Sequence, residues 1–457
     1  MTESRRGPVV EIAHASRVTS LPCRLSASPN QATSSVQSGD VMNKRTALVF
    51  LVTIVFALAA VSFSPWPRRA EAQFPQFFGA TRFPAIDVDK NDNLYLTMSV
   101  ATAPASERRP HSQIFFTMSR DGGANWDNFP QTRNLTKSPG EAFGPSLAVT
   151  KGGTARAYVT YHDNSSGVYQ VYLIRSKKKA KFKKPARITP HDGGAFGPRL
   201  ALDSNEAVNI TWGDTLGGRR RVMFARSTDQ GETFTEPLNI SRSSGEAFEP
   251  EIAVDPGNAI NVAWEDSATG VNSIMFSRST DEGKTFSTPL RVSKGTDPAT
   301  EAHIASDGAG RLSVVWVQGT EEEKQAYYSR STDGGLTFSD PVNLSNTAGA
   351  SISKPLIATF RDIVYVAYQN EARRDMQVYL TKSEDAGVSF SSPVQVSNAD
   401  NSKGRAHSAA MVVDSRGVLH IVWIDASIVG NDEGLLFYSN SSNGRRFSPQ
   451  QMILAAI

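Results

Sequence analysis

The stretch SRSTDEGKTFSTP, residues 277–289, returns in near-copy as ARSTDQGETFTEP (225–237), SRSTDGGLTFSDP (329–341) and TKSEDAGVSFSSP (381–393). Aligned on the serine that opens the turn, related segments begin at Ser119, Ser176, Ser227, Ser279, Ser331, Ser383 and Ser441, about 52 residues apart with two slightly longer steps. Each is preceded by an alternating run such as VMFARS, IMFSRS or AYYSRS, and further upstream by a second such as VNITW, INVAW or LHIVW. A third run (PSLAVT, PRLALD, PEIAVD) comes before that, and a fourth, ending in NLT, NIS or RVS, follows the turn. Period-two, β-branched and aromatic segments bounded by Gly, Asn, Asp and Pro are read as strands. Four strands repeated seven times between about Phe83 and Leu454, with no helical pattern, predict an all-β fold: a seven-bladed β-propeller of four-stranded antiparallel blades. The rival, a β-solenoid, normally has shorter repeats.

Five copies of the turn fit S-x-D-x-G-x-x-[FW] in full, with the aspartates Asp121, Asp229, Asp281, Asp333 and Asp385. An aspartate can accept backbone N–H groups of its own turn, glycine supplies a positive φ, and the ring packs between sheets. In these residues the sequence resembles the Asp-box (BNR) repeat of the sialidase superfamily, a resemblance that spans residues 83–454. A device present once per blade is what a blade needs, so these five aspartates are read as structural. Two copies depart from the pattern. SKKKAKF in blade two lacks both Asp and Gly, and SSNGRRF in blade seven has Asn443 in place of Asp. Blade two gains a basic run there, Lys177 to Lys184 and on to Arg187, read either as a solvated surface or as an attraction to an anionic surface polymer.

The first seventy residues differ from the rest. Residues 1–41 are polar and without periodicity, and are read as a mis-assigned or disordered extension. Residues 42–72 hold Lys44 and Arg45, an apolar run from Ala47 to Phe63, breakers at Pro65 and Pro67, and the triplet Ala70-Glu71-Ala72. This is the layout of a secretory signal, with an uncleaved anchor as the alternative. Residues 73–457 then form an exported propeller domain: periplasmic, at the cell surface or secreted. Of the chain's 48 Lys/Arg and 45 Asp/Glu, residues 1–72 hold eight and four, which leaves 40 against 41. That balance argues against a nucleic-acid partner, and nothing in the domain calls for membrane insertion. The single cysteine, Cys23, lies before the domain, so the domain has no disulfide.

The face opposite the acidic turns is where a propeller binds its ligand. Two residues beyond the aromatic that ends the second run stand Asp163, Asp214, Asp266, Gln318, Asn370 and Asp425. They are either loop-fixing groups or a collar for sugar hydroxyls or Ca²⁺, which takes clustered oxygen ligands. No metal is required by any motif. Where three blades place Phe143, Phe196 and Phe248 before the first run, the others place Arg82, Thr300, Ser353 and His407, with Glu249, Glu301, His303, Lys354 and Arg405 nearby. Charged residues that break a repeat at a channel mouth are candidates for ligand binding. Two carboxylates among Glu249, Glu301, Asp266 and Asp425 could act as acid and base, with Arg82 as a clamp.

The resemblance implies an arginine triad, an aspartate acid/base and a Tyr/Glu nucleophile pair. TRFPAI places Arg82 and Pro84 where the first arginine motif belongs, although Pro145, Pro198, Pro250 and Pro355 recur in other blades. No aspartate lies between Asn93 and Arg120, only Glu107 and His111. Arg405 is a second triad candidate, a third is missing, and no Tyr/Glu pair is assigned by motif. Sialidase catalytic propellers also have six blades, not seven. The expectation is a module that binds a glycan or another surface polymer. The alternatives are a sialidase-like or neutral-sugar glycoside hydrolase and a protein-interaction platform.

Overall fold

The computed structural model describes residues 81–102, 111–127, 132–177, 181–215, 217–320, 322–347, 351–372, 375–397, 404–427 and 434–453. Residues 1–72, where the sequence suggested an extension and a leader, lie outside these, as do Cys23 and Glu107. Among the described residues no helix is long and apolar enough to cross a membrane.

Seven antiparallel sheets follow one another in sequence order, each a meander of four strands. In blade four these are Ala247–Val254, Ile260–Asp266, Ser273–Ser279 and Leu290–Arg291. The other blades repeat the pattern, and blade two adds a short strand, Lys181–Phe182, beyond the usual position. First strands of successive blades lie against one another all the way round, and Thr81–Val88 of blade one meets Ala406–Val413 of blade seven. The first strands therefore line a central channel, and the ring closes. The fourth strand is only two residues long in every blade, which keeps the outer edge from templating further pairing.

The core divides into seven apolar clusters, one at each junction between neighbouring blades. Four tryptophans of the second strands, Trp212, Trp264, Trp316 and Trp423, are fully buried there. The acidic turns are part of these junctions. In all five complete copies the Ser Oγ donates to the Asp Oδ1 at 2.7–2.8 Å and accepts the Gly N–H at 2.8–2.9 Å. The aspartate also takes the N–H four residues on, as Asp281 does from Thr285 at 2.9 Å. In four of these copies the aromatic that ends the turn meets a ring of the preceding blade edge-on, as Phe286 does Phe224 at 5.0 Å and Trp126 does Tyr438 of blade seven at 5.4 Å. The glycine is required twice over. Gly283 has φ 80°, and a Cβ there would sit 2.3 Å from the Phe224 ring. The turn is thus a joint between blades.

Candidate functional site

The end of the ring away from the acidic turns is built by one local event repeated seven times. Each first strand carries a β-bulge near its start, between Arg82 and Ala85 in blade one and between Thr300 and His303 in blade five. The left-handed residue of the bulge is Phe83, Gly144, Gly197, Glu249, Glu301, Lys354 or Ser408, with φ between 48° and 57°. Proline follows in five blades, and a bulge is where a strand tolerates a residue that cannot donate to the ladder. As a recurring feature the bulge is scaffold. Its side chains are another matter: five blades hold a non-glycine residue in a conformation that costs about 1–2 kcal/mol each. Backbone strain retained with a charged or aromatic side chain is a pointer to function.

The bulges present two arcs of different chemistry. Blades one to four supply Phe83, Phe143, Phe196 and Phe248, of which Phe83 and Phe196 are exposed. Phe196 leans on Tyr169 (5.5 Å) and His162 (6.2 Å), and the Arg220 guanidinium lies 5.6 Å from the Phe248 ring. Blades three to six supply the charges. Arg199 Nε meets Glu251 Oε1 at 2.6 Å, and the second oxygen of Glu251 lies 3.9 Å from His303 Nε2. Lys354 Nζ lies 3.1 Å from Glu301 Oε1, while the Lys354 backbone N–H donates to Glu301 Oε2 at 2.6 Å.

Behind them stands Glu265, 4% exposed, whose Oε1 accepts the Glu301 N–H at 2.7 Å. Burial, first of all, pushes its carboxyl up to about 7. The Glu301 N–H and Lys354 pull it down, and the carboxylates of Glu249 and Glu301 push it further up. Burial lowers His303 from the usual imidazole range, and lowers His162 to about 4 with the help of Arg199, so both rings are neutral at pH 7.

Of the residues singled out from the sequence, the structure brings Glu249, Glu301, His303 and Lys354 into this cluster. Arg82, Arg405 and His407 stand at the same end of the ring on blades one and seven. In blade seven the Ser408 N–H donates to Gln369 at 2.7 Å. The ring of Asp and amide residues lies at the same end, each paired with the first strand just before its bulge, as Asp266 is with Ala247 and Asp214 with Ala195. Asp163, Asp214, Asp266, Gln318 and Asp425 are buried at the ends of second strands, and Asp214 and Asp266 also meet His191 Nε2 at 2.9 Å and the Ser243 hydroxyl at 2.8 Å, respectively. Asp214 and Asp266 accept the indole N–H of Trp212 and Trp264 at 3.0 and 3.2 Å, and Gln318 does the same for Trp316 at 2.9 Å. Asp163 and Asp425 each take the N–H two residues on at 2.8 Å. In this geometry the oxygens that accept these bonds fix the strand ends and loops, while Asp163 Oδ2 is buried without a hydrogen-bond partner. Among the described residues no group of three or more His, Cys, Asp or Glu is placed to hold a metal ion.

The residues missed were Arg199, Glu251 and above all Glu265. In Trp264-Glu265-Asp266 the two-residue strand period turns Trp264 and Asp266 to one side and Glu265 to the other, toward blade five. The signal was present: at that position other blades carry His162, Gly213, Val317, Gln369 and Ile424, so it does not follow the repeat.

No known protein family matches the chain, and neither does any curated protein. Among solved structures it is similar to an ulvan lyase of a polysaccharide lyase family, with TM-score 0.53 and 11% identity over 82% of this chain and 94% of that one. The same kind of enzyme bound to -[GlcA(1-4)Rha3S]- matches with TM-score 0.52 and 11% identity, at the same coverage. A leech intramolecular trans-sialidase in complex with 2,7-anhydro-Neu5Ac matches at 0.46, 14% identical over 79% of this chain and 68% of that one. At such identities what is shared is the propeller fold.

Proposed function

We propose that the chain is an exported propeller, working as residues 73–457, that holds a carbohydrate chain across the channel mouth of blades one to six. The observation that carries this reading is the pairing of two arcs on one ring of bulges. Aromatic rings at Phe143, Phe196 and Phe248 offer flat apolar platforms for the C–H faces of sugars, and Glu249, Glu301 and Lys354 offer hydrogen-bonding groups for their hydroxyls. The similarity in fold to a lyase whose structure contains a uronate–rhamnose sulfate chain is compatible with such a ligand.

Glu265 favours a second reading, a glycoside hydrolase. A buried carboxyl held at about 7 beside two further carboxylates is how a site divides the roles of acid and base. One experiment separates the two. The purified domain is titrated with neutral and uronate-containing oligosaccharides and incubated with a panel of fluorogenic glycosides that includes a sialoside. Binding without turnover, weakened about tenfold in Phe196→Ala and Glu301→Gln, is the expected result. Turnover that disappears in Glu265→Gln would replace the binding reading with the hydrolase. Neither binding nor turnover by a folded sample would overturn both and leave an interaction platform.

A further inference from the structure

The channel mouth leaves the basic run of blade two unused, and that run lies at the other end of the ring. There a groove of about 670 Å³ opens between blades two and three, lined by Arg156, Tyr158, Arg175, Lys177, Lys181 and Lys183 together with Gln230 and Glu232. Its charge has a structural cause: blade two has lost two carboxylates that other blades keep.

The first loss is in the turn between the first and second strands. Asp203, Asp255, Asp307 and Asp414 each accept the backbone N–H groups two and four residues on or serve as an arginine partner there. Blade two has Thr150 instead, whose hydroxyl accepts the Arg156 N–H at 3.0 Å. The second loss is the aspartate of the acidic turn. Ser176 turns its Oγ to the Ala157 N–H at 2.8 Å, and Lys177 pairs with Lys181 of the short extra strand.

The consequence falls on Arg175. Its counterparts one residue before the turn serine, Arg226 and Arg278, are tied at 2.6 Å to Asp203 and Asp255 of their own blades. Arg175 has no such aspartate. It reaches outward across the junction, donating to the Gln230 carbonyl at 3.2 Å and pairing with Glu232, which Lys183 also contacts. Arg156 is held by Glu206 at 3.3 Å. Five cations thus face two carboxylates. The Tyr158 hydroxyl, buried at the base, makes no hydrogen bond of good geometry and has the Arg156 guanidinium as its neighbour.

We propose that this groove binds an acidic polysaccharide through its sulfate or carboxylate groups, with Arg175, Lys177, Lys181 and Lys183 as the contacting cations. Arginine and lysine on an open groove suit anionic groups spaced along a flexible chain. A nucleic-acid duplex fits less well, because residues 73–457 balance 40 Lys/Arg against 41 Asp/Glu and so offer no extended positive field beyond the groove. The inference is independent of the channel-mouth reading, since the two sites lie at opposite ends of the ring.

The test uses the whole domain with dextran sulfate and, as the uncharged control, dextran, at about 50 and 300 mM salt. Lys177 and Lys181 are exposed, so a Lys177→Glu/Lys181→Glu variant keeps its fold, checked by its thermal midpoint. A Lys90→Glu/Lys284→Glu variant makes the same change in net charge at exposed lysines of other blades. Dextran sulfate is expected to bind, dextran not. Affinity should drop about tenfold in the groove variant, stay near wild type in the charge-matched one, and weaken at the higher salt. The proposal fails if dextran sulfate does not bind, if the two variants lose affinity equally, or if duplex DNA binds the groove as tightly as dextran sulfate.

Discussion

Glu265 shows how much a single position can carry. It occupies the inward-facing slot of a strand whose neighbours on either side, Trp264 and Asp266, are engaged with each other. Its carboxyl has to be buried to cap the Glu301 N–H, and burial sets its proton affinity. Because the folded value, about 7, lies above the ordinary 4.5, the folded state binds more protons than the unfolded chain between those two pH values. The contribution of Glu265 to stability is full below pH 4.5, is lost as pH rises toward 7 and then levels off. Glu249, Glu301 and Lys354 are the charged groups facing it. The Glu265→Gln variant is therefore expected to flatten the thermal midpoint across pH 4.5–7 while leaving the values below pH 4.5 close to wild type. An unchanged slope would mean that another group titrates there.

At the scale of the element, the blade is held to its neighbour by the acidic turn. Phe286 is buried against Phe224 of the preceding blade, with Gly283 stacked under the same ring. Phe286→Ala empties that junction and should cost about 3–5 kcal/mol in chemical denaturation. A loss below about 1 kcal/mol would show that the turn, not the ring, makes the joint.

These elements were legible in the sequence because strand alternation, turn residues and spacing all repeat together. That Asp266 and its counterparts belong to the repeat was legible for the same reason. The bulge was not. Nothing in the composition of AFEPEIAV or ATEAHIAS marks Glu249 and Glu301 as left-handed, since neither is a residue that favours that conformation. Nor does the sequence show that Arg199, Glu251 and His303, one from each of three successive blades, meet along the channel wall; only the packing of neighbouring first strands brings them together.

For the molecule as a whole, the complete acidic turns form a belt of low-titrating carboxylates. Asp281 and Asp333 are held near 2 chiefly by the hydroxyls of Thr285 and Thr337, then by backbone N–H groups, and Asp229 and Asp385 are lowered further in the same way. Their contribution is present above the ordinary aspartate value of 3.8 and disappears as pH falls through the folded values. In the Glu265→Gln background the thermal midpoint should hold down to about pH 4 and drop between there and pH 2. A midpoint at pH 2.5 equal to that at pH 5 would remove the belt from the account of stability.

The joint between blades seven and one is built like the others. Trp126 meets Tyr438 edge-on, the Tyr438 hydroxyl donates to the Gly122 carbonyl at 3.0 Å, and an apolar cluster spans the two blades. Among the described residues each blade is drawn from one stretch of chain, and no described strand is lent across the gap to lock it. The ring consequently has no privileged beginning. Gene duplication could add or remove whole units at any junction without redesigning a clasp, and blade number is free to drift while the mouth it encircles is rebuilt one side chain at a time.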